Sequence, residues 1–109
     1  MVDSNSEILI VLVTAPDTAT AEKLGDSLVK KRLAACVNII PAIISIYHWE
    51  GKLERTSEVQ LIAKSTREKF AALCEAVSDD HPYEVPEIIA LNAPLVSKKY
   101  RDWLLAELK

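Results

Sequence analysis

Glycine is almost missing from this 109-residue chain, which has only two. A glycine-rich loop that cradles phosphate needs several close together, so nucleotide binding of that kind is excluded, and no nucleophile elbow occurs. Cysteine is equally scarce. Cys36 and Cys74 are far apart, with neither Cys-x-x-Cys spacing nor the framework of a secreted mini-domain, and are expected to be reduced and packed as small hydrophobes. There is no basic tract: 13 Lys and Arg face 16 Asp and Glu for a net charge of −3, which argues against a nucleic-acid partner. The short cluster Lys30-Lys31-Arg32 ends a predicted helix and complements its dipole. No long hydrophobic run occurs either. Ile8 to Val13 is too short to span a membrane, and Met1 to Glu7 carries two acids and no cation, so the expected location is the cytoplasm.

The chain does have a large apolar content, 50% of its residues, enough for one domain over residues 1–109 that buries roughly 65% of its unfolded surface. Glu7 to Ala15 is a β-branched run closed by Pro16. Asp17 or Thr18 caps a helix with Ala21, Leu24, Leu28 and Val29 on its apolar stripe, ending near Leu33. Cys36 to Glu50 and Leu53 to Lys64 form an antiparallel pair turned by Glu50-Gly51-Lys52. Ser65-Thr66-Arg67-Glu68 has the form of a capping box and opens a helix with Phe70, Leu73, Cys74 and Val77 inward. A strand over Ile88 to Asn92 follows. Ser97 then begins a last helix that points Tyr100, Trp103, Leu104 and Leu108 at the core. The order predicts an α+β, ferredoxin-like βαββαβ fold with an antiparallel sheet, a long extended β-hairpin and a C-terminal helix.

The hairpin is too apolar for a monomer. Its first strand places Val37, Ile39, Pro41, Ile43, Tyr47 and Trp49 on one face and Ile40, Ala42, Ile44 and Ile46 on the other. Pro41 within the run predicts a bulge. Such an arm must be buried against other copies of the chain, and a head-to-tail ring covers one per subunit.

The richest chemistry lies in His81-Pro82-Tyr83-Glu84-Val85-Pro86-Glu87-Ile88. The two prolines hold the segment extended, and in polyproline II geometry His81, Glu84 and Glu87 share one side. One imidazole and two carboxylates can bind a metal, move protons or receive a cationic ligand. The structural alternative is a turn in which His81 caps the preceding helix and the carboxylates are solvated.

Four stretches together carry a resemblance: Arg32 through Ile39, Ser45 through Lys52, Glu58 through Lys64, and His81 through Ile88, with Thr14-Ala15-Pro16 at the opening. They resemble, in order and over nearly the whole chain, the motif series of the CutA family of divalent-cation tolerance proteins. The resemblance implies a cytoplasmic homotrimer with hairpins packed around its threefold axis, an architecture shared with PII-type signalling proteins, and a link to copper. Some members are thought to hold copper through a Cys ahead of the Thr-Ala-Pro motif and a His pair. Here Val13 and Asp80 replace that Cys and the first His. The implied set is His81 with Asp80 and Glu84, suited to a weak, exchangeable Cu(II) or Zn(II) site.

His48 and Cys36 are further potential ligands that also suit packing, and Tyr47, Trp49 and Trp103 are large packing groups. Three function classes follow. The first is divalent-metal binding. The second is a ligand-sensing or scaffold trimer with an unknown small molecule in a cleft near Lys64, Tyr83, Glu87 and Trp49. The third, an enzyme using His81 and Glu84 as acid and base, has no accompanying catalytic motif.

Overall fold

The computed structural model describes residues 6–109; residues 1–5, which make up most of the acidic N-terminal stretch read from the sequence, lie outside the described residues. Seven elements follow in the order β1 (Ile8–Ala15), α1 (Thr18–Lys30), β2 (Cys36–Trp49), β3 (Lys52–Thr66), α2 (Arg67–Asp80), β4 (Ile88–Asn92) and α3 (Lys98–Glu107). The strands form one antiparallel sheet in the order β2-β3-β1-β4. This is the ferredoxin-like arrangement.

Local chemistry explains the boundaries. Asp17 is the N-cap of α1, its carboxylate accepting the Thr20 amide at 2.7 Å. At the other end Arg32 takes φ 60°, and the Leu33 amide reaches back to the Leu28 carbonyl at 2.9 Å, closing the helix through a left-handed residue. Gly25 packs α1 on β2, where a Cβ would meet Val37 Cγ1 at 3.4 Å, an ordinary van der Waals contact. Glu50 and Gly51 both have positive φ, 51° and 79°, the signature of a tight two-residue hairpin loop joining Trp49 to Lys52.

The capping box does not form. Ser65 is still in β3, paired with Leu9, and is fully buried; its hydroxyl donates to the Leu33 carbonyl at 2.6 Å, which the end of α1 leaves free. Thr66 becomes the N-cap of α2 without a side-chain hydrogen bond. Thus a residue that resembles a helix signal is spent on a tertiary contact.

Both α1 and α2 cover one face of the sheet. Leu24, Leu28, Leu73 and Val77 pack there against Val11, Val13, Leu61 and Ala63. The third helix covers only one end, where Leu104 and Leu108 join Ile8 and Ala35 in a smaller cluster. Tyr100 and Trp103, expected in the core, flank that narrow contact instead and stack on each other at 5.5 Å, still 38% and 44% exposed.

The β2–β3 ribbon runs far past the helices and gives the chain its 48 Å long axis. At Pro41 the pairing slips, from Ile40 opposite Gln60 to Ile43 opposite Glu58, so β2 holds one extra residue. That slip corrects the face assignment. Val37 and Ile39 point to the helices, whereas Ile43, Ser45, Tyr47 and Trp49 share the Glu58 side. Ile44, Ile46 and Leu53 point the other way and stay 67%, 55% and 70% exposed.

Candidate functional site

The proline-rich segment runs from the end of α2 across the end of β1 to β4. His81 closes α2, its amide still bonded to the Val77 carbonyl at 2.8 Å, and then turns extended at φ −83°, ψ 136°, as Pro82 requires. Its ring is buried. Nδ1 accepts the Tyr83 amide at 3.0 Å, which places the ring proton on Nε2, where it donates to the Thr14 carbonyl at 2.6 Å. The imidazole thus ties the segment to β1.

Tyr83 is aimed by that same link. Its ring lies 4.7 Å from the His81 ring, and its hydroxyl donates to Glu58 Oε2 at 2.6 Å. Glu58 is only 7% exposed, and among the described residues Tyr83 is the single side chain hydrogen-bonded to it. Burial first, then the hydrogen bond and negative charge of Glu58, push the Tyr83 phenol well above its ordinary value.

Between this segment and the hairpin lies a cleft of about 710 Å³. Tyr47, Trp49 and Tyr83 supply its aromatic surface, and Glu58, Glu84 and Glu87 its carboxylates. The bulge at Pro41 is what turns Tyr47 and Trp49 toward it. Of the residues expected around a cleft, Trp49, Tyr83 and Glu87 are brought together. Lys64 is not: it lies about 20 Å up β3 from Glu58 at roughly 3.3 Å per residue, beside Cys36, whose sulfur is 4.0 Å from Nζ.

The implied metal ligands are not assembled either. Both nitrogens of His81 are committed to the backbone, Asp80 borders a different groove against α1 with Thr20, Lys23 and Lys30, and only Glu84 reaches the hairpin cleft. Among the described residues no group of three or more His, Cys, Asp or Glu side chains is placed to hold a metal ion. His81, Asp80 and Glu84 therefore do not fit a preformed Cu(II) or Zn(II) centre. His48 sits exposed on the Ile44 and Ile46 side of the hairpin, and Cys74 is half-buried in α2, burial raising its thiol. Among the described residues no helix is long and apolar enough to cross a membrane.

Glu58 is the candidate site residue that sequence reasoning missed. Its signal was there: Glu54, Thr56, Glu58 and Gln60 alternate along β3, and an acid on the strand face nearest an aromatic-rich partner strand is a site candidate.

Comparison with known proteins agrees with the fold. Residues 9–107 match the family model described as CutA1 divalent ion tolerance protein. The chain is 43% identical over 106 residues to the divalent-cation tolerance protein CutA of Escherichia coli, spanning 97% of this chain and 95% of that one. Among solved structures it is similar to CutA1 from Oryza sativa, with a TM-score of 0.92, 39% identity, and coverage of 96% of each chain. The divalent cation tolerance protein (Cut A1) from Thermus thermophilus superposes with a TM-score of 0.87 at 43% identity, covering 89% of this chain and 94% of that one.

Proposed function

This chain belongs to the CutA1 divalent ion tolerance family, and on that premise we propose that it acts as a cytoplasmic homotrimer that binds a small molecule in the clefts beside its hairpins. It binds without catalysis. Its bearing on divalent-cation tolerance, copper included, then runs through that occupancy rather than through a resident copper ion. The cleft carries this reading, because it concentrates three aromatic rings and three carboxylates around one concavity of about 710 Å³.

The oligomer is supported by what the helices leave bare. On the open face of the sheet Ile40, Ile89 and Leu91 are 43%, 50% and 52% exposed, and on the arm Ile44, Ile46 and Leu53 are more so. Exposed apolar residues on both sides of so small a protein call for partners, and a second and third copy of the chain closing a ring would cover them without leaving an open edge. Copper held through His81 is the reading that this geometry supports least, since a metal bond at either nitrogen displaces a hydrogen bond of the fold. The same commitment takes His81 out of acid–base work.

Native mass spectrometry and a thermal-shift screen of chelator-treated protein against fractionated metabolites test the proposal. A trimer, and a metal-independent stabilisation lost in Trp49→Ala, are expected. A folded monomer at micromolar concentration, or stabilisation by Cu(II) alone that vanishes in His81→Ala, would overturn it.

A further inference from the structure

We propose that the ligand of the hairpin cleft is an organic ammonium ion with an apolar body; this rests on the reading of the cleft as a small-molecule site. The charge inventory is one-sided. Glu58, Glu84 and Glu87 line the cleft, and among the described residues no Lys, Arg or His lines it. An anion would meet three carboxylates with nothing to balance them. A neutral donor could hydrogen-bond to Glu58, only 7% exposed and among the described residues bonded by the Tyr83 hydroxyl alone, but it would bring no charge to offset the three carboxylates. A buried carboxylate with spare acceptor capacity is satisfied by a charged donor, and an N–H of an ammonium group is the simplest one.

A bare divalent ion is served less well. It requires several oxygens converging within about 2.0–2.6 Å of one point, and no such convergence exists among the described residues. Here the acids arise from two different segments, Glu58 from β3 and Glu84 and Glu87 from the proline-rich segment. Aromatic rings and carboxylates lining one cleft favour a cation of diffuse charge, which the ring faces attract and need not dehydrate completely. The apolar body follows from Tyr47, Trp49 and Val85, which add apolar surface to the lining of the cleft.

Isothermal titration of the intact, chelator-treated oligomer with benzylammonium, benzyl alcohol and benzoate tests the charge preference at constant shape. Benzylammonium is expected to bind at least tenfold more tightly than benzyl alcohol, and benzoate more weakly than both. Glu58→Gln keeps a carbonyl oxygen for the Tyr83 hydroxyl and should lower benzylammonium affinity at least fivefold while leaving benzyl alcohol unchanged. Glu87→Gln provides the same readout at a less buried position. Asp80→Asn, in the other groove, should change nothing. Equal affinity for the three probes would overturn the ammonium assignment while leaving the cleft as a ligand site. So would an absence of binding by any probe; the metabolite screen then decides separately whether the cleft is a site. A loss in Asp80→Asn as large as that in Glu58→Gln would also overturn it.

Discussion

Replacing His81 by Ala distinguishes a structural histidine from a metal ligand by magnitude. The ring is 8% exposed and bridges the Thr14 carbonyl and the Tyr83 amide. Its removal leaves the carbonyl buried without a donor, at about 1–3 kcal/mol for an unsatisfied group. The Tyr83 amide is nearer solvent and recovers a water, so its loss adds less. The contact between the two rings, at 4.7 Å, contributes about 0.5–1.5 kcal/mol more. Together these give about 2–4 kcal/mol per protomer. Urea unfolding at one fixed protomer concentration measures it, because the stability of an oligomer depends on concentration. Calorimetric titration with Cu(II) on the same samples completes the test, with little change expected. A loss of stability below about 0.5 kcal/mol, together with a tenfold fall in copper affinity, would refute the assignment of both ring nitrogens to the fold.

Tyr83→Phe removes the hydroxyl that satisfies Glu58. Because the phenol is raised above its ordinary 10.0 in the fold, its contribution is full below pH 10 and is lost as the pH rises beyond it, where only the unfolded chain ionises readily. Stability of the variant, followed by circular dichroism, should therefore fall less steeply above pH 10 than that of the parent. Ile44→Glu places a charge on the exposed side of the arm, 67% accessible in the protomer, and should dissociate the oligomer in sedimentation experiments without unfolding the sheet. Glu50→Asn should raise stability by about 0.5–1 kcal/mol in urea unfolding, since asparagine adopts the left-handed conformation at φ 51° with less strain.

The elements of this fold are legible because their signals are local. The β-branched run before Pro16, the Asp17 cap and the strand from Ile88 to Asn92 each depend on neighbours a few residues away, and each stands where the pattern puts it. Legibility fails where a side chain is claimed by something distant in sequence. Ser65 has a helix-capping pattern around it, yet the Leu33 carbonyl takes its hydroxyl. His81, Asp80 and Glu84 are close in the chain, but the end of α2 sends Asp80 to one groove and Glu84 to another, while Thr14 captures the ring between them. Proximity in sequence does not make a ligand set once the backbone turns within it.

The bulge at Pro41 has the widest consequence, because one residue determines what each side of the arm can do. Side chains alternate along a strand, so the extra residue between Ile40 and Ile43 inverts every position beyond it. With the bulge, Ser45, Tyr47 and Trp49 lie on the side of Glu58, while Ile44 and Ile46 are left outward with Leu53. Without it, Ile44 and Ile46 would face Glu58, putting aliphatic surface against a buried acid, and the aromatics would go to the outer side. Proline suits the position because it cannot donate to the ladder that is interrupted there. A continuous apolar strand is thereby split into a half that completes the helix-covered core and a half whose two sides differ. The aromatic side frames the cleft beside Tyr83. The other side keeps Ile44 and Leu53 as exposed aliphatic surface, 67% and 70% accessible.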